Sequence, residues 1–124
     1  MKFGDTIYNE ENINESVKIK SESHTPKIEV PEKVKKGEKV TIKVRVGPHP
    51  NEVNHSIKKI ELWFYEKDRV FNPIHLSTVE LEPGYGEPEL EIKVKLSKSG
   101  IIYALSYCNL HGYWEARKEI IVEE

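Results

Sequence analysis

The segment KVTIKVRV, residues 39–46, sets Val40, Ile42, Val44 and Val46 against Thr41, Lys43 and Arg45. ELEIKVKL, residues 89–96, repeats the alternation with Leu90, Ile92, Val94 and Leu96. A strict period of two predicts strands with one buried and one wetted face. KKIELWFYE (58–66) puts Ile60, Leu62 and Phe64 on one side and Trp63 and Tyr65 on the other, while the nearly all-apolar IIYALSYC (101–108) suits a central strand. ESVKIKSE (15–22) and EARKEIIVEE (115–124) predict weaker terminal strands, and STVELE (77–82) a short one. No ten-residue window carries a helical stripe. Turn signals at Pro31, Lys36-Gly37, Gly47-Pro48, Pro50-Asn51, Asn72-Pro73, Pro83-Gly84 and Ser99-Gly100 separate the runs. About seven short strands in 124 residues predict an all-β fold, an antiparallel β-sandwich, as a single domain over 1–124. Residues 1–14 are polar and read as a mobile or loosely docked tail.

Composition excludes several classes. A chain with 37% hydrophobic and 32% charged residues can build its own core and stay in solution. Its net charge of −2 leaves no basic footprint for nucleic acid. No apolar run approaches the roughly 18 residues of a membrane span, and the N-terminus lacks the apolar stretch of a signal peptide. A single cysteine excludes an internal disulfide and asks for no oxidising compartment. The expectation is a cytoplasmic protein with neither membrane nor nucleic-acid partners.

The candidate chemistry sits at the ends of the predicted strands. Of the five histidines, His24 follows the first run, His49 and His55 bracket the loop HPNEVNH, and His111 follows Cys108 by three in SYCNLHGYW. Imidazole nitrogen together with thiolate sulfur suits zinc, iron or copper rather than calcium or magnesium. Each residue also has a plainer reading. A cysteine in an apolar strand packs as a small hydrophobe, a loop histidine is solvated, and a Cys-x-x-His pair lacks the other half of a zinc finger. Three further readings compete. One is a non-enzymatic, metal-binding interaction module. Another is a blue-copper carrier, which wants an axial methionine where this chain has only Met1. The third is a Cys108–His111 nucleophile pair, which lacks an orienting acid.

The motifs taken together, SHTP, then PHPN-x-x-x-H before an apolar strand, then YALSYCNLHGYWE, resemble those of superoxide reductases of the neelaredoxin and desulfoferrodoxin group, from about residue 20 to the C-terminus. The resemblance implies an immunoglobulin-like β-sandwich and a mononuclear iron that reduces superoxide to hydrogen peroxide. It implies His24, His49, His55 and His111 as equatorial ligands and the Cys108 thiolate as the axial one. Glu22 matches the glutamate that closes over the oxidised iron as a sixth ligand. His75 matches no motif position and reads as a surface or loop residue. The resemblance also implies a rubredoxin-type electron donor and a homo-oligomer, with a tetramer expected for the short form.

Two departures stand out. The longer family form carries a second iron on four cysteines; with one cysteine in this chain, the resemblance implies the one-iron form. The usual Glu-Lys-His-x-Pro reads Glu22-Ser23-His24-Thr25-Pro26, so the lysine that attracts superoxide is Ser23. Lys20 and Lys27 are the nearby substitutes, and Lys58 and Lys59 after His55 extend a positive rim that would steer a small anion. Backbone N–H groups from Asn109 to His111 are expected to tune the Cys108 sulfur.

Overall fold

A computed structural model describes all residues, 1–124. The chain order is a 3-10 turn at Phe3–Thr6, α1 (Glu15–His24), β1 (Lys27–Glu29), β2 (Lys33–Lys35), β3 (Lys39–Arg45), β4 (Ile57–Glu66), β5 (Ile74–Glu80), β6 (Glu89–Lys95), β7 (Gly100–Cys108) and β8 (Gly112–Glu123). One sheet has the order β1-β3-β6 and the other β2-β8-β7-β4-β5. Every pairing is antiparallel except β2 with β8, which is parallel. This is the expected immunoglobulin-like β-sandwich, and the strands read from alternation are present. STVELE extends upstream, so that β5 begins at Ile74. β1 and β2, each three residues long, are too short to show a period and were not anticipated.

The core follows the alternation. Val40, Ile42 and Val44 of β3 meet Ile60, Leu62 and Phe64 of β4 and Ile102, Ala104 and Cys108 of β7 in one buried cluster. Along β7 the inward positions are Ile102, Ala104, Ser106 and Cys108, all at 0% exposure. Cys108 is therefore the last inward residue of a central strand, at the rim of the apolar core.

One element contradicts the sequence reading. Residues 15–22, expected as a strand, lie in helix α1. The Val-Lys-Ile-Lys alternation misled because this segment buries almost nothing: Ile19 is 82% exposed, and only His24 is buried. Its helicity comes from its ends. The Asn14 side chain accepts a bond from Val17 N at 3.2 Å, which satisfies a free N–H of the first turn. Pro26 holds Thr25 extended (φ −72°, ψ 126°) and stops the helix after His24.

Residues 1–14, read as a tail from their polarity, lie along β8. Since β2 covers only Ile121–Glu123 of β8, the first half of that strand would be an open edge. Tyr8 occupies it: Tyr8 N donates to Tyr113 O (3.0 Å), and Glu115 N donates to Tyr8 O (2.7 Å). Ile7 is buried beside it, and Arg117 Nη2 reaches Glu11 Oε1 at 2.6 Å. This single parallel bridge blunts the edge at Trp114.

Candidate metal centre

The site forms at the end of the sandwich where α1 ends, β3 runs into β4 and β7 turns into β8. His49 and His55 lie in the β3–β4 loop, and backbone bonds between Glu52 and His55 (2.9 and 3.1 Å) fix its tip. Asn51 ties the same loop to the β5–β6 connection, accepting from Gly84 N (2.8 Å) and donating to Gly86 O (3.3 Å). At Gly47 (φ +119°) a Cβ would sit 2.8 Å from His49 N, so the approach to His49 requires glycine. Gly112 (φ +79°) turns the chain immediately after His111.

Residues of β7 and its turn lock the loops together. Ser106 Oγ donates to the His24 carbonyl at 2.5 Å and pins the end of α1 to the core. Asn109 Oδ1 accepts from Ser56 N (3.0 Å), its Nδ2 donates to Asn54 O (2.8 Å), and its own N donates to Ser56 O (3.3 Å). Asn109 thus clamps the turn carrying Cys108 and His111 to the loop carrying His55. The expected bond from Asn109 N–H to the Cys108 sulfur is not made, because that donor serves the Ser56 carbonyl.

Five side chains converge. His24 Nε2 is 3.1 Å from His49 Nε2 and 3.2 Å from His111 Nδ1. His111 Nδ1 is 3.7 Å from Cys108 Sγ. The donor atoms of His24, His49, His55 and Cys108 all lie within 4.8 Å of one another. Two nitrogens bonded at right angles to one ion at about 2.1 Å stand about 3.0 Å apart, which is the spacing found.

The chemistry of these atoms demands a positive centre. His24 Nδ1 faces the Lys20 carbonyl at 2.8 Å, and His49 Nδ1 faces the Pro50 carbonyl at 2.7 Å. A carbonyl accepts only, so each Nδ1 carries the ring proton and each Nε2 presents a bare lone pair. Two lone pairs 3.1 Å apart repel unless a cation lies between them. His55 Nε2 is buried with no hydrogen-bond partner, a further unpaired donor atom. Burial, first of all, lowers the His24 pKa from 6.5 to about 4; the Lys20 carbonyl opposes this, and His49, His111 and Lys20 push the same way as burial. Burial likewise lowers His49 and His111. Neutral imidazoles and a lone sulfur are the state in which these groups bind a metal.

The remaining candidates lie elsewhere. Glu22 is exposed and lines a groove with Asn9, Glu11 and Arg117. On a helix, two residues correspond to about 200°, so Glu22 points away from the side on which His24 enters the cluster. His75 is on β5, exposed, bonded to Thr78 Oγ1 at 2.6 Å and set edge-on against Trp63. Lys27 Nζ is held by the carbonyls of Gly47 (2.7 Å) and Glu22 (3.2 Å). Lys59 Nζ pairs with Glu61 at 3.8 Å and lies over Tyr113. Ser106 was missed as a supporting residue and Asn109 was read only for its backbone N–H, because their side-chain partners are distant in sequence.

The fold and the site together define a β-sandwich protein with a histidine–cysteine centre suited to a transition metal. The desulfoferrodoxin family model matches residues 16–117, and the chain belongs to that family. A superoxide reductase of Pyrococcus furiosus is 41% identical over 110 residues, spanning 77% of this chain and 86% of its own. A Thermotoga maritima relative is 44% identical over 138 residues and spans all of both chains. The solved structure of the superoxide reductase (neelaredoxin) from Ignicoccus hospitalis is 56% identical, with a TM-score of 0.93 over 99% of this chain and 100% of that one.

Proposed function

We propose that the protein is a superoxide reductase holding one iron through His24, His49, His55, His111 and Cys108. The observation that carries this reading is the convergence of bare imidazole nitrogens on the buried Cys108 sulfur. When bound, iron supplies the single electron, and with two protons superoxide becomes hydrogen peroxide. The chain's own groups do the rest. The Lys20 and Pro50 carbonyls fix the tautomers and ring planes of His24 and His49. The core around Cys108 keeps water from the sulfur.

Lys20 is the residue we assign to attracting the substrate anion in place of the lysine absent at Ser23. Its charge acts on both His24 and His111, and it lies one helical turn before His24. Lys27 is spent on backbone carbonyls. Glu22 can join the metal only if the last turn of α1 unwinds, so we place it outside the reduced site. A rubredoxin-type donor and a homotetramer complete the reading. The apolar outer face of Trp63, Tyr65, Tyr103 and Leu105 is the surface we assign to subunit contact.

Metal analysis and a product assay test the reading. The expected result is about one iron per chain, lost in Cys108→Ala, with peroxide formed from superoxide only while a reductant is supplied. Zinc or copper at full occupancy, or oxygen released in equal amount to peroxide, would overturn it.

A further inference from the structure

Trp114 is 1% exposed and touches two of the four histidines. Its Nε1 donates to the His111 carbonyl at 3.1 Å, and its ring lies 5.1 Å from that of His24 at a tilt of 34°. The indole also stacks on Tyr8, centroid to centroid 4.6 Å at 32°. Tyr8 is anchored by its two backbone bonds to β8, with Ile7 buried next to it and Glu11 bonded to Arg117. The same segment ends at Asn14, the cap of the helix that carries His24. The family model begins only at residue 16, so this strap lies outside that model.

We propose that the strap of residues 1–14 is a buttress governing metal retention, with Tyr8 as its positioning residue acting through Trp114 on His24 and His111. The inference rests on the metal-centre reading above. The physical route is short. The Tyr8 ring backs the indole, the indole limits rotation of the His24 ring, and the indole N–H holds the carbonyl that orients His111. A ligand ring that is already held loses less freedom on binding and is freed less often, so release of the ion slows.

The test uses the full chain loaded with ferrous iron. Metal release to an excess of chelator is followed in wild type, Tyr8→Leu and Tyr8→Phe, and thermal melts are recorded for the apo and loaded forms of each. Tyr8→Leu should release iron about tenfold faster than wild type. Tyr8→Phe keeps the ring and should match wild type. The gap between loaded and apo melting temperatures should narrow in Tyr8→Leu, because that gap reads binding to the folded state. A strap that only stabilises the fold lowers both melts equally and leaves the gap and the release rate unchanged, and that result overturns the proposal. If Tyr8→Leu does not fold, Trp114→Phe, which keeps a ring but removes the donor to His111, must show the faster release, and wild-type kinetics there also overturn it. Failure of wild type itself to bind iron defeats the metal-centre reading instead.

Discussion

His55, Cys108 and His111 are held in one way and His24 in another. The first three sit at or just beyond the ends of β4 and β7, strands whose inward side chains are the core itself, and Asn109 rivets the adjoining loops together. His24 sits at the end of a helix with no apolar face, fixed by an N-cap, one bond from Ser106 and the Trp114 ring. On the strand side the support cannot move without opening the sandwich. On the helix side it is a set of discrete polar and aromatic contacts that can be removed one at a time. Damage to the strand side should therefore cost fold and metal together, and damage to the helix side metal or rate alone.

The largest effect is expected on the strand side. Asn109→Ala leaves the buried Ser56 N–H without its acceptor, a loss of about 1–3 kcal/mol. It also frees the His55 loop from the Cys108 turn. A thermal melt should fall by about 5 °C or more, and chelator should strip iron about 10–100-fold faster. A normal melt with fast metal loss would break the comparison, since the strand side would then behave like the helix side.

The same division governs what the sequence disclosed. β3, β4 and β6 were legible because period-two alternation separates an inward from an outward face, and β7 because a nearly all-apolar run marks a central strand. The clustering of His24, His49, His55, Cys108 and His111 was foreshadowed only by motif resemblance, since no period signals that segments 25 or 87 residues apart meet at His24. α1 was misread because no apolar side chain on it is buried to set a phase, and its cap is a single asparagine. Asn109 was read only for its backbone N–H, because its side-chain partners lie 53 and 55 residues away. The strap was read as a tail because its hold on β8 is mostly backbone bonding, which leaves no mark on composition.

On the helix side, Lys20→Met should leave iron content and melting temperature unchanged. It should lower the bimolecular rate with superoxide about 3–10-fold at low ionic strength. The deficit should shrink as salt rises, because charges are screened beyond about 10 Å at 0.1 M. An unchanged rate would return the anion-attracting role to another group, and lost iron would show that Lys20 supports His24 rather than the substrate.

The smallest effect is expected where the strap meets β8. Glu115 donates its backbone N–H to Tyr8, while its carboxyl is pushed above the usual 4.5, mainly by burial and further by Glu11, with Arg117 opposing. Glu10, Glu22 and Lys27 line the same groove. Just above pH 4.5 the folded chain keeps a proton that the unfolded chain has released, so stability falls as pH rises through this window and stays at its lower level beyond it. Glu115→Gln removes the cost of burying the charge and keeps the backbone bond. Its melting temperature should exceed wild type by about 1–2 °C at neutral pH, and the advantage should vanish below pH 4.5, where the wild-type carboxyl is protonated in both states. Iron release should not change, because the carboxyl touches neither Tyr8 nor Trp114 through its side chain bonds. An advantage that persists in acid would mean the carboxyl is not the source of the cost, and faster iron release would mean that the strap transmits more than its aromatic stack.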